Sequence, residues 1–242
     1  MIALITDFGN DYYHGVVKGK ILSWHKNAQI TDLSHNVASC NSRNGAWILL
    51  QSYPHFPKNT IFLAIVDPGV GSQRKALVVE TRNYLFVGPD NGLLYPAAKD
   101  DGIIDIMSIP LPKNASKTFH GRDLFAKIAS QLEKGSKPRT LGNKQKTMQQ
   151  ISLVPKSRKG EIMHIDSFGN IITNLASLQK KEYVVSLNNK SIAMPFFQTY
   201  DMAAENELFL IEGSSNTLEI SIKGESAQKL LQAKLNQEIE IR

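Results

Sequence analysis

Two aspartates stand where an apolar run gives way to a turn. The first run, Ile2 to Ile5, leads straight into Thr6-Asp7-Phe8-Gly9-Asn10-Asp11, and Ile61 to Val66 leads into Asp67-Pro68-Gly69-Val70-Gly71-Ser72-Gln73-Arg74. An acid at the carboxyl end of a strand in an open α/β sheet can accept both hydroxyls of a ribose. That makes Asp7 a candidate ligand group, with helix capping by Asp7 or Asp11 as the plainer alternative. A metal set of Asp7, Asp11 and His14 matches no established ligand spacing. Around Asp67, Pro and two Gly enforce a tight exposed turn, either an ordinary loop or a place where backbone approaches a ligand closely. The Gly-Lys-Ser/Thr ending of a phosphate-binding loop is missing there.

Two more clusters carry polar groups beside glycines: Gly88-Pro89-Asp90-Asn91-Gly92, and Phe119-His120-Gly121-Arg122-Asp123 ahead of an apolar helical pattern. A histidine next to glycine at a helix start is free to reach into a cleft, while Arg122 and Asp123 suit a local ion pair. Further on, Asp166-Ser167-Phe168-Gly169-Asn170 sets an aromatic face beside an amide, suited to stacking and hydrogen-bonding a base, or to a plain β-turn with a core Phe. No Gly-x-Ser-x-Gly elbow is present, Cys40 has no activating neighbours in sequence, and the cysteine and histidine spacing makes no zinc site. Covalent nucleophilic catalysis is not expected, nor is a metal or cofactor.

The elements that must position these groups follow from periodicity. Apolar runs at Ile2 to Ile5, Ile30 to Leu33, Ile61 to Val66 and Ala76 to Val79 read as strands. Between them, Val17, Ile21 and Trp24, then Ala46, Leu49, Leu50 and Tyr53, make single apolar helix faces. Leu124, Phe125, Ile128, Ala129 and Leu132 mark a last helix closing near Gly135. Alternating strands and helices imply a mostly parallel sheet covered on both faces, an α/β sandwich domain over residues 1–150. After Lys159 the texture turns to short strands: Glu161 to Ile165, Ile171 to Thr173, Tyr183 to Leu187, Leu208 to Ile211, Leu218 to Ile222 and Glu238 to Ile241. That is the pattern of a smaller antiparallel β domain, a barrel or sandwich, over residues 159–242.

Composition sets outer limits. With 242 residues, 42% hydrophobic and 21% charged, the chain can bury a substantial core. The apolar start stops at Asp7 with no basic leader, and no run approaches the ~18 residues of a membrane span. One cysteine suits a reducing compartment, so a cytoplasmic protein without membrane attachment is expected. The net charge of +6 is spread thinly except from Lys134 to Lys159, a tract that reads as a solvated linker. Without aromatic platforms it does not amount to a nucleic-acid site, and substrates bearing a carboxylate suit the charge equally well.

In this order the strings resemble those of the S-adenosylmethionine (SAM) hydroxide adenosyltransferases, hydrolytic relatives of the fluorinase and chlorinase enzymes. The matching strings are Thr6-Asp7-Phe8-Gly9, Val66-Asp67-Pro68-Gly69-Val70-Gly71-Ser72 with Arg74, Gly88-Pro89-Asp90-Asn91-Gly92 and Phe119-His120-Gly121-Arg122-Asp123. They continue with Ile165-Asp166, Phe168-Gly169-Asn170, Thr173-Asn174, and Ser214-Ser215 ahead of Leu218-Glu219-Ile220. The resemblance implies an N-terminal α/β domain, a C-terminal β-barrel, and a homotrimer with active sites at subunit interfaces. It implies a catalytic set of Asp67, Arg74 and His120, with Asp7 on the ribose diol and Asp11 on the methionine amino group. Phe168 and Asn170 would take the adenine, and Ser214 and Ser215 the methionine end. The substrate would be SAM, cleaved by water to adenosine and methionine. The alternatives are a SAM- or adenosine-binding module without turnover, and a halide-using transferase, against which the Asp67 carboxylate argues by repelling halide. The chain departs from the family pattern in a segment between Gly9 and Tyr13 that is one residue short, at Ser39-Cys40-Asn41 where Pro and Asp are common, and at Asn216 in place of Gly.

Overall fold

The computed structural model describes residues 1–153, 156–178 and 180–242. The chain divides into two compact units, Met1–Ser152 and Leu153–Arg242.

In the first unit the strands are β1 (Ile2–Thr6), β2 (Ile30–Ser34), β3 (Ile61–Ile65), β4 (Ala76–Thr81), β5 (Leu85–Pro89), β6 (Ile103–Ile109) and β7 (Asn143–Gln145). The helices are α1 (Tyr13–Trp24), α2 (Ser42–Ser52), α3 (Tyr95–Asp101) and α4 (Ala126–Glu133). The described strands form one sheet in the order β2-β1-β3-β5-β4-β6-β7. Five of the seven run the same way; β4 and β7 run against them. The reversal at β4 has a local cause. Only Arg82 to Tyr84 separate β4 from β5, too few residues for a crossover, so the pair closes as a hairpin. Every residue of β1 and β3 is buried, as strands covered on both faces must be.

α1 buries Val17 and Ile21 with Trp24 against the same core, as its spacing predicts. α2 buries Ala46 and Leu49 but also Asn44 and Trp47, while Leu50 is only half-buried. α4 follows a π-helical turn at Gly121–Phe125, so the predicted last helix opens with an irregular turn beside His120. The expected linker differs from the structure in its first part: β7 adds an edge to the sheet, and Arg139 and Lys144 reach the buried Asp105 of β6. Its polar sequence hid this, because an edge strand needs no apolar alternation. Positions 154 and 155 of that tract lie outside the described residues.

The second unit comprises β8 (Lys159–Ile165), β9 (Ile171–Thr173), β10 (Glu182–Leu187), β11 (Lys190–Pro195), β12 (Leu208–Glu212), β13 (Leu218–Ile222), α5 (Ala227–Leu231) and β14 (Glu238–Ile241). Its sheet runs β11-β10-β14-β8-β9-β13-β12 with antiparallel neighbours throughout. A bridge between Phe196, just past β11, and Leu210 of β12 brings the two edges together and nearly closes a barrel. The β10–β11 hairpin turns on Asn188 and Asn189, both left-handed, which matches the right-handed twist of the strands. Tyr183, Val185 and Leu187 alternate inward from β10 and meet Ile162, Met194, Leu210, Ile220 and Ile239 in one core.

Candidate active site

β3 ends at Ile65, and the chain turns through Asp67 to Arg74 before β4. Val70 N–H donates to the Asp67 carbonyl at 3.2 Å, and the Ser72 hydroxyl donates to the Gly69 carbonyl at 2.7 Å. Gly71 has φ +82°, and a Cβ there would lie 2.5 Å from the Lys117 carbonyl oxygen. Only glycine lets this turn run against the 116–118 backbone. That backbone is itself held by Asp123, which accepts from Ser116 N–H at 2.8 Å while pairing with Arg122. The loop carrying His120 is thereby fixed against the loop carrying Asp67 and Arg74.

These three side chains meet. Arg74 Nε donates to Asp67 Oδ1 at 2.9 Å and Oδ2 at 3.1 Å, and Nη2 donates to Oδ2 as well. The same Nη2 lies 2.7 Å from His120 Nδ1. Phe125, on the π-helical turn, sits 5.2 Å beneath the guanidinium. Asp67 and Arg74 side chains are under one-tenth exposed, and His120 is buried. A guanidinium only donates, so Nδ1 accepts and neutral His120 carries its proton on Nε2. Nε2 is buried without a hydrogen-bond partner among the described residues. Burial, and then the Arg74 charge, hold the His120 pKa below its ordinary value, against the opposing pull of Asp67 and Asp123. The arrangement is a neutral imidazole, a fixed cation and a carboxylate with lone pairs left over, in a nearly dry setting.

Asp7 is half-buried at the end of β1. Its Oδ2 accepts the Cys40 N–H at 2.8 Å, from a residue in left-handed conformation at φ 58°. Burial raises the Asp7 pKa most, the Cys40 bond opposes this, and the charge of Asp67 adds to the rise. Asp7 and Asp67 thus belong to one electrostatic neighbourhood. Asp11 is exposed and accepts from Tyr12 N–H at 2.7 Å. Nothing in the residue pattern pointed to Cys40 as the partner of Asp7. The loop that presents it is pinned by buried Asn44, whose Oδ1 accepts Ala38 N–H at 3.0 Å while Asn41 caps α2. Phe8, Tyr13 and Phe119 meet edge to face at 5.4–6.0 Å and line a cavity of about 450 Å³ with Arg122.

In the second unit Asp166 organises the turn after β8. Its Oδ1 accepts from Phe168 N–H and Asn170 N–H, both at 2.9 Å, and its Oδ2 accepts Asn170 Nδ2–H at 3.0 Å. Phe168 is left 77% exposed, which excludes the core-Phe alternative. Phe168 and Asn170 line a cavity of about 670 Å³ together with Tyr200, which the sequence did not single out. Tyr200 donates to buried Glu219 at 2.6 Å, and burial followed by that carboxylate raises its pKa. Ser214 and Ser215 occupy the β12–β13 turn, where Asn216 takes the left-handed conformation that the family's glycine would supply. Among the described residues no group of three or more His, Cys, Asp or Glu gathers as a metal cage.

Residues 2–142 match the SAM hydroxide adenosyltransferase N-terminal domain, and residues 160–240 match the C-terminal domain of the same family. An (R)-S-adenosyl-L-methionine hydrolase from Methanocaldococcus jannaschii is 36% identical, covering 100% of this chain and 95% of that protein. One of the same name from Thermus thermophilus is 31% identical over 95% of this chain and 94% of its own length. A fluorinase from Actinopolyspora mzabensis is more distant, 21% identical over 72% of this chain and 71% of that protein. The crystal structure of an uncharacterized conserved protein from Thermotoga maritima superimposes with a TM-score of 0.92 at 32% identity, covering 100% of both chains. With both domain models matched and relatives above 30% identity along its whole length, the chain belongs to the SAM hydroxide adenosyltransferase family.

Proposed function

We propose that the protein hydrolyses SAM to adenosine and methionine by in-line attack of water at the ribose C5′ carbon. The observation that carries this reading is the buried contact of Asp67, Arg74 and His120 in a chain whose relatives are named SAM hydrolases. The sulfonium is already a good leaving group, so the protein needs only to place water opposite sulfur and ease its deprotonation. The new bond joins water oxygen to C5′; the C5′–S bond breaks with its electron pair going to sulfur, giving neutral methionine; one proton is released. Asp67 keeps lone pairs beyond those facing Arg74 and accepts that proton or hydrogen-bonds the water. Arg74 stabilises developing hydroxide. His120 Nδ1 holds the guanidinium in register and provides a second proton acceptor if that contact opens.

In the same reading Asp7 holds the ribose diol and Asp11 the methionine amino group. Phe168 and Asn170 meet adenine, and Ser214 and Ser215 the methionine end. The site works in a homotrimer, between subunits, in the cytoplasm. No helix among the described residues is long and apolar enough to cross a membrane. The test is product analysis after incubation with SAM, with and without chloride or fluoride. Equal amounts of adenosine and methionine support hydrolysis. SAM bound in stoichiometric amount yet left intact would move the assignment to a binding module, and 5′-halo-adenosine would move it to halide transfer.

A further inference from the structure

We propose that His35 is a positioning residue for Asp7, acting through the buried Thr6 hydroxyl to set the carboxylate that meets the ribose diol. The inference rests on the reading of Asp7 as the diol-binding group. Among the described residues, one hydrogen bond reaches the Asp7 side-chain oxygens from across the fold, that of the Cys40 N–H. The place of Asp7 is therefore set mainly by its neighbours in the chain, and these are held from the segment after β2. Thr6 is fully buried, and its Oγ1 lies 2.9 Å from His35 Nδ1. Phe8 N–H donates to the same Oγ1 at 3.3 Å. Gly9 N–H donates to the His35 carbonyl at 2.7 Å, and Val37 N–H donates to the Thr6 carbonyl at 3.3 Å. Both flanks of Asp7 are thus fastened around one histidine.

The direction of the bonds follows. Thr6 Oγ1 accepts from Phe8 and keeps both its proton and a second lone pair, so the His35 tautomer sets the direction: with Nε2 protonated, the Thr6 hydroxyl donates to Nδ1. His35 Nε2 lies 3.1 Å from Asp32 Oδ1, too oblique for a straight hydrogen bond but near enough to favour the tautomer protonated at Nε2. Asp32 is held in turn by Lys18 at 2.9 Å, and His14 stacks on His35 at 4.2 Å with 13° between the rings. Burial keeps the His35 pKa below its ordinary value in spite of Asp32. The Asp32-His35-Thr6 order has the look of a nucleophile relay, yet Thr6 exposes no surface to any substrate. What remains is orientation.

Two amide replacements separate this role from general packing. His35→Asn puts an acceptor oxygen where Nδ1 sits and keeps the Thr6 bond; His35→Gln reaches the Nε2 position and loses it. Calorimetric titration of the full-length protein uses adenosine and 2′,3′-dideoxyadenosine. His35→Gln is expected to weaken adenosine binding by about tenfold and leave dideoxyadenosine within about twofold, while His35→Asn restores adenosine binding. Thr6→Val, which removes the hydroxyl at nearly constant volume, is expected to give the same selective loss and serves if the Gln variant does not fold. Equal losses for both nucleosides, or no loss for either, overturn the proposal. SAM cleavage by the same preparations keeps the two readings apart. Wild-type protein that prefers the diol but leaves SAM intact sinks the hydrolase reading alone. Cleavage of SAM with unaltered His35→Gln binding sinks the positioning role alone, and wild-type protein that cleaves SAM but is blind to the diol sinks the diol-binding role of Asp7 and the positioning role with it.

Discussion

Arg74 donates to Asp67 and His120 at once, and that double engagement needs the planar fork of a guanidinium. Arg74→Lys is therefore expected to behave as a loss, lowering kcat/KM for SAM by about 10²- to 10⁴-fold, as are Asp67→Asn and His120→Phe. Steady-state assays check all three, and a lysine variant within about threefold of wild type would contradict the role given to the fork. His120 supplies the pH prediction. Its pKa is pushed below the ordinary 6.5 by burial and by Arg74, so the imidazole is neutral at pH 7 and its Nδ1 lone pair is available. Lowering the pH through that depressed pKa adds a proton to Nδ1, which then faces a guanidinium that cannot accept. Activity is expected to hold flat from neutral pH down and to fall on an acid limb with its inflection below 6.5; an inflection above 7 contradicts the assignment. The triad residues are separated by seven and forty-six positions. Their residue types drew attention in the sequence, but only the resemblance joined them, since no local spacing encodes a contact across the sheet. Cys40 as the partner of Asp7 carried no signal at all, because its backbone does the work.

Among the elements, the turn from Asp67 to Arg74 depends on Gly71. Gly71→Ala forces a Cβ at φ +82° onto the Lys117 carbonyl and is expected to cost about 2 kcal/mol or more in urea unfolding, with a loss of activity from the displaced Arg74. Gly19, inside α1, meets nothing within 4 Å, so Gly19→Ala is expected to raise stability by about 0.4–1 kcal/mol and leave activity alone. Equal effects at the two sites would show that the turn is not strained in the way described. Legibility followed the same physics. β1, β3, α1 and most strands of the second unit announced themselves because a short run, or one side chain in two or in three to four, had to be apolar. β5, β6, α3, β7 and, in the second unit, β11 and α5 did not. Leu85 to Val87 is too short to separate from the Gly88-Pro89-Asp90-Asn91-Gly92 turn it runs into, α3 is a seven-residue helix opened by Pro96, and β7 is polar at an exposed edge. The antiparallel insertion of β4 is a matter of loop length, which periodicity does not report.

At the scale of the whole molecule the family reading brings an assembly with it. Sedimentation is expected to show three copies of the 26.9 kDa chain, and a monomer that cleaves SAM at full rate would contradict active sites shared between subunits. Phe168, 77% exposed on a turn braced by Asp166, is the aromatic face such a site would use. Phe168→Ala is expected to raise KM for SAM by about tenfold with a smaller change in kcat, in proportion to ~1–1.5 kcal/mol of stacking. The two-domain plan was legible because hydrophobic periodicity changes after Lys159; quaternary structure leaves no such mark and entered through resemblance alone. The most direct test of the central claim is incubation with SAM in oxygen-18 water, followed by mass analysis of the nucleoside. Adenosine carrying one heavy oxygen at its 5′ position is expected, and none when Asp67 is replaced by Ala. Unlabelled adenosine, or SAM left intact by the wild-type protein, would contradict that claim.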